Sequence, residues 1–468
     1  MANQEETILW HDYETTGVEP RRDRPMSFAA QRTTLALEPI GDPIQVEFAL
    51  AADVLPSPDA CLVTGLDPER PGTVSELLGA RRVLEVMSEP RTCSAGFNSM
   101  RFDDELTRFM LWRNLLPPYE RESRNGNSRF DLIDVLRAAC ALRPEGMEWP
   151  KVEPGVPTFK LEALATANDV PHDAHEALGD VRATHALARK LRGARETMFD
   201  YLLGARHRSV VQDRIYAFKR EPFVHVTQRF PASDYCTSLV VRVTDHPRFR
   251  NQILCLDLRR DPQRILDLDV QELRARLFTP RAEREDPDEE PLGIKGIHFG
   301  RCPVVAPRKL LDEASIQRIR LDVAECERHA ESITKNRAAL EMKLAEVFDE
   351  EPLNQVDVDE ALYSGFVEDE DAAICREIHA TSPDRWRDFE RSFEDERLGE
   401  LLFRMRARNH PETLGATEHA RWMQHCRERL SGAEAVLQRI AELRAQGSDA
   451  KVLDAVDASV RSRMARVR

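Results

Sequence analysis

No stretch of this chain approaches 18 consecutive apolar residues, so no membrane-spanning helix is expected. The first residues lack the basic, apolar and small-residue succession of a secretory signal, and a cytoplasmic, membrane-free location is the expectation. None of the nine cysteines stands in a C-x-x-C pair or at zinc-like spacing. An odd, scattered set suits a reducing compartment better than a disulfide framework. Internal repeats and low-complexity tracts are also missing, which sets aside solenoids and biased disordered segments.

Net positive charge is absent too: 82 acidic residues face 67 Lys and Arg, a formal charge of −15. That excludes a protein that coats nucleic acid through bulk charge. It does not exclude a nuclease, whose substrate responds to the local field of a groove. Residues 205–264 hold twelve Lys or Arg against six Asp or Glu, while 283–290 and 349–371 are acidic. Solvated faces are the expectation for the two acidic runs. With 468 residues and 41% hydrophobic content, the chain can build two or three cores.

Four carboxylates and a histidine in the first 180 residues are the strongest positive signal. Asp12 and Glu14 lie in I-L-W-H-D-Y-E-T-T-G, Asp103 in N-S-M-R-F-D-D-E-L, and His175 and Asp180 in H-E-A-L-G-D. Asp12 and Glu14 are two apart in an apolar run that reads as a strand, so both leave one face. Buried together without a counter-ion they would repel and resist desolvation. A hard divalent cation removes both penalties. Taken singly, Asp103 and Asp104 read as first-turn helix acids, and Asp180 and His175 as surface groups. The Asp12–Glu14 pair is what a surface reading explains worst.

In this order the motifs D-x-E, N-x-x-x-F-D and H-x-x-x-x-D resemble the DEDDh 3′→5′ exonucleases. Further strings resemble the bacterial exodeoxyribonuclease I family: H-D-Y-E-T at His11 to Thr15, D-R-P-x-x-F-A-A-x-R-T at Asp23 to Thr33, R-F-D-D-E-x-T-R at Arg101 to Arg108, A-L-R-P-E-G at Ala141 to Gly146, and R-A-R-N at Arg406 to Asn409. The resemblance implies that Asp12, Glu14, Asp103 and Asp180 hold two Mg²⁺ ions, Mn²⁺ being the alternative, with His175 as general base. It implies processive 3′→5′ release of nucleoside 5′-monophosphates from single-stranded DNA by a monomer serving repair and recombination. Glu14, Thr64, Gly65, Arg108, Tyr119, Arg137 and Lys160 fall where it implies substrate contacts. Arg143 and Tyr201 fall where it implies docking of the C-terminal tail of single-stranded DNA-binding protein. The competing readings are a catalytically silent DNA-binding scaffold and a DEDDh nuclease acting on RNA.

Strand and helix patterns alternate over 7–190, an α/β expectation that the resemblance refines to a ribonuclease H-like mixed sheet. Strands are expected at Thr7 to Glu14, Ser27 to Leu37 and Ile44 to Ala51, and helices from Asp103 and from Phe130 to Leu142. Short β runs over 197–348 followed by helix are implied to be an SH3-like domain. A linker from Asp349 and a helical domain over 355–468 complete the expected organisation. In that last segment Leu398, Leu401, Leu402 and Met405 form an apolar stripe.

Overall fold

The computed structural model describes residues 5–172, 176–280, 283, 284, 286, 289–349 and 356–467. Its contacts group the chain into two compact units. One combines Met1–Ser128, His172–His185 and Asn354–Arg468; the other combines Arg129–Pro171 and Ala186–Leu353.

The first unit is built on strand β1 (Thr7–Thr15), whose Ile8, Leu9 and Trp10 are fully buried. β2 (Pro25–Thr34) pairs antiparallel with β1, and β3 (Pro39–Glu47) antiparallel with β2. β4 (Thr92–Gly96) runs parallel to β1, so the sheet is mixed, in the order β3-β2-β1-β4-β5 with β5 at Ser128–Asp131. Gly96 permits a close approach: a Cβ there would meet the His11 carbonyl oxygen at 2.9 Å. The second strand stops at Thr34, short of the expected Leu37, because Leu37 adopts a φ of 67° and its N–H bonds the Thr34 carbonyl. β3 correspondingly starts earlier than expected, at Pro39.

Helices α1 (Pro58–Thr64), α2 (Glu76–Met87) and α3 (Asp103–Arg113) follow predictable start signals. Ser57 and Ser75 cap the first two through their side chains, and Pro58 occupies the first turn of α1. Asp103, Asp104 and Glu105 place three acids at the positive end of α3. Leu9, Phe28 and Val46 of the sheet pack against Val83 and Met87 of α2 and Leu106 and Met110 of α3.

The C-terminal segment completes this unit. Leu362, Trp386, Leu398, Leu401, Leu402 and Met405 share one apolar cluster with Leu77, Phe109 and Trp112. Ile440, Leu453 and Val456 share another with Met26 and Cys61. The acidic run 349–371 is not uniformly solvated. Asp359 and Asp371 are 1% and 2% exposed. Asp359 pairs with Arg24 at 2.7 Å and Arg408 at 2.6 Å, and Asp371 accepts the backbone N–H groups of Glu394 and Asp395. Charge density along a sequence does not reveal that one counter-ion of Asp359 waits 335 residues upstream and another 49 downstream.

The second unit carries a two-stranded hairpin, β6 (Lys151–Glu153) with β7 (Val156–Pro157), and a five-stranded antiparallel sheet. Its strands are β8 (Phe223–Val226), β9 (Thr237–Asp245), β10 (Gln252–Asp257), β11 (Ile294–His298) and β12 (Val304–Pro307), in the order β11-β10-β9-β8-β12. Helices Val323–Lys335 and Arg337–Val347 follow, the first capped by Asp322. The helix expected from Phe130 begins at Leu132, because Phe130 belongs to β5 and Asp131 caps the helix by accepting from the Ile133 N–H. Parts of the basic stretch serve the fold: Arg214 binds the Tyr201 carbonyl at 2.7 Å and Arg259 the Ile319 carbonyl at 2.7 Å.

Candidate active site

β1 fixes the first two acids. Asp12 sits opposite Ala29 and Glu14 opposite Ser27 of β2, with a register shift just after Glu14. Asp180 arrives from the first turn of the helix Ala177–Ala194. One oxygen from each of Asp12, Glu14 and Asp180 lies within 4.8 Å of the others. Burial first, and then Asp103, Asp180 and Glu14, push the Asp12 carboxyl well above the usual range. Burial, with Asp180, pushes Glu14 up to about 7. Carboxylates gathered out of water at this spacing favour either a proton or a hard cation between them.

Asp103 opens α3 and is 4% exposed. Its charge acts on Asp12, although it lies outside the 4.8 Å group. Asp104, read from sequence as a first-turn acid, does stand in that turn, but buried and paired with Arg121 at 2.8 Å. His175 lies outside the described residues. A different histidine reaches the cluster: the His172 Nε2 bonds the Asp180 Oδ1. Sequence reading missed it, and the only available signal was its place eight residues before Asp180.

Thr64 and Glu14 line one cavity of about 250 Å³, together with Ser27, Phe28, Leu66 and Glu176. Gly65, beside it, caps α1 with a φ of 67°. Arg108, on α3, is held by Glu122 through two bonds of 2.7 and 2.8 Å and by Glu105 at 2.7 Å. It also donates to the Tyr363 hydroxyl at 3.0 Å and lies 5.3 Å from the centre of the half-exposed Tyr119 ring. Tyr363 is a contact no local pattern announces, since it lies 255 residues further along.

The remaining expected contacts belong to the second unit. Arg137 pairs with Asp134 at 2.6 Å and lies over the Phe159 ring. Lys160 is exposed, just before the helix Leu161–Ala167. Arg143 binds the Leu310 carbonyl at 3.0 Å and Asp312 at 3.3 Å. The Tyr201 hydroxyl donates to the Val305 carbonyl, and Arg214 covers the ring at 3.7 Å.

Residues 9–188 match the family model described as Exonuclease, 206–350 the Exonuclease I SH3-like domain, and 356–459 the Exonuclease I C-terminal domain. Exodeoxyribonuclease I of Escherichia coli strain K12 is 38% identical over 431 residues, 91% of this chain and 90% of that protein. The chain belongs to the exodeoxyribonuclease I family. The zinc-bound E. coli exonuclease I–single-stranded DNA complex superposes with a TM-score of 0.92 at 35% identity, covering 99% of this chain and 100% of that one. The crystal structure of SSB/exonuclease I with the inhibitor CFAM gives 0.90 at 34%, covering 98% and 100%. Family membership makes the chain an exonuclease, a hydrolase of DNA, and accounts for the mixed sheet, the SH3-like sheet and the helical C-terminal part. The oxygen-only donor set fits the divalent-metal dependence of such nucleases. Among the described residues no helix is long and apolar enough to cross a membrane.

Proposed function

We propose that this chain removes nucleoside 5′-monophosphates processively from the 3′ end of single-stranded DNA, as a cytoplasmic monomer. The observation that carries this reading is the Asp12–Glu14–Asp180 group, three oxygens within 4.8 Å with the Asp12 and Glu14 carboxyls pushed up. Asp12, Glu14, Asp103 and Asp180 would hold two Mg²⁺ ions, with Mn²⁺ as substitute. When bound, such ions supply the positive charge that activates water and stabilises the departing 3′-oxygen. His175 takes the proton of the attacking water, since an imidazole accepts protons near neutral pH.

Glu14 and Thr64 border the cavity, Gly65 follows Thr64 in the chain, and the three suit the terminal nucleotide. Tyr119 offers a ring for base stacking, and Arg108, Arg137 and Lys160 offer cations to the strand. Arg143 and Tyr201 are read as the docking point for the acidic tail of single-stranded DNA-binding protein; the SSB/exonuclease I structure supports that protein as the partner. Segments 7–190, 197–348 and 355–468 are assigned as the nuclease, SH3-like and helical modules.

The test is digestion of 3′-blocked and 5′-blocked oligonucleotides, DNA beside RNA, with and without chelator. Mononucleotide release from DNA with a free 3′ end, abolished by chelation, is expected. Release from the 5′ end, equal digestion of RNA, or binding without cleavage would overturn the reading.

A further inference from the structure

We propose that His172 is a positioning residue for the metal site, acting through Asp180. This rests on the reading of Asp180 as a metal ligand.

His172 stands after Pro171, in the segment that leads to the helix bearing Asp180. Its side chain is only 7% exposed, and its Nε2 bonds the Asp180 Oδ1. As a metal ligand Asp180 is ionised and only accepts, so in that state the ring proton sits on Nε2 and is donated to Asp180. The other ring nitrogen, Nδ1, is buried and has no partner among the described residues. His185, by comparison, bonds the Leu37 carbonyl at 2.8 Å and no carboxylate of the cluster. The one bond of His172 among the described residues goes to the Asp180 carboxylate, which suits the ring to orienting that group.

The consequence for Asp180 is geometric. One of its oxygens is occupied by the imidazole, which fixes the carboxylate plane and leaves the second oxygen for an ion. Ligating carboxylates are commonly oriented this way by a hydrogen-bond donor, and losing such a partner typically costs about 10–100-fold in metal affinity or activity.

The experiment measures Mn²⁺ binding to the full chain without DNA, by titration against the free-ion electron paramagnetic resonance signal. His172→Ala is expected to weaken Mn²⁺ binding by about 10–100-fold, with cleavage recovering as Mn²⁺ is raised. His172→Gln, which can still offer an N–H to Asp180, is expected to regain most of that affinity, and His172→Leu, of similar bulk, none. The Gln and Leu pair gives the same comparison if the Ala protein does not fold. Wild-type Mn²⁺ affinity in the Ala or Leu protein, with binding lost in Asp180→Asn, would overturn the role of His172 and leave the site standing. Wild-type affinity in Asp180→Asn would instead overturn the metal-site reading beneath it.

Discussion

Asp12→Asn isolates what one carboxylate contributes, because it keeps the shape and removes the charge. Ions at such a site supply several kcal/mol of charge stabilisation, so turnover on single-stranded DNA is expected to fall by about 10³-fold or more. The metal-free melting temperature should hold or rise, since a charge that Asp103, Asp180 and Glu14 oppose is gone. Glu14 sets a pH signature in the wild type. Its folded carboxyl titrates at about 7 against an ordinary value of 4.5, so the metal-free fold loses stability as pH rises between those values. Divalent ion should therefore raise the melting temperature more at pH 8 than at pH 5; an equal rise at both would remove these acids from the metal. His175→Ala should lower turnover by about 10²–10⁴-fold with strand affinity kept, and an unchanged pH–rate profile in that protein would point to another base. At this scale the sequence was most legible where chemistry imposes spacing: Asp12, Glu14 and Asp180 meet as their motifs imply. His172 and Tyr363 were not legible, because their partners are set by the path of a loop and by a contact 255 residues away.

Between elements, several of the strings that resemble the family turn out to join segments. Arg24 of D-R-P and Arg408 of R-A-R-N meet on Asp359, and Arg408 also binds Asp53 at 2.7 Å. Burial alone would raise the Asp53 and Asp359 carboxyls; Arg408 outweighs it, with His425 beside Asp53 and Arg24 beside Asp359, and holds both well below the usual range. Their contribution is full above about pH 4 and is lost as pH falls through the depressed range. Asp359→Ala leaves three largely buried arginines, Arg24, Arg404 and Arg408, without that acid and is expected to cost about 3–5 kcal/mol, read by urea denaturation at pH 7. A loss below about 1 kcal/mol would mean that the network behaves like a surface pair. The helix start at Asp103 was legible from its acidic first turn, whereas the helices from Pro58 and Glu76 went unread although Ser57 and Ser75 cap them. The end of β2 was not, since Leu37 takes a left-handed turn that its side chain does not advertise.

For the whole molecule, the C-terminal helices form one unit with the nuclease sheet, so removing them is not a clean test of processivity. Deleting 360–468 would uncover Leu77, Phe109 and Trp112 on one side and Met26 and Cys61 on another. The truncated chain is expected to bind a hydrophobic dye and to melt without a sharp transition; a cooperative melt near that of the full chain would show that the nuclease part stands alone. Strand binding is better probed by single charges. Lys160→Ala should reduce the slope of log affinity against log salt by about 0.7, the share of one phosphate contact on a single strand, and an unchanged slope would take Lys160 off the DNA path.

The three-segment make-up of the first unit also sets a timetable for biosynthesis. The face carrying Leu77, Phe109 and Trp112 leaves the ribosome long before Leu398, Leu401 and Met405, which cover it. At about 5–20 residues per second the intervening chain takes roughly 15–60 s to make. During that interval the half-built sheet presents an apolar surface that only a later part of the same polypeptide can close. A translational pause within residues 129–353 would prolong that exposure, and the nascent chain would depend on chaperone cover in proportion to the delay.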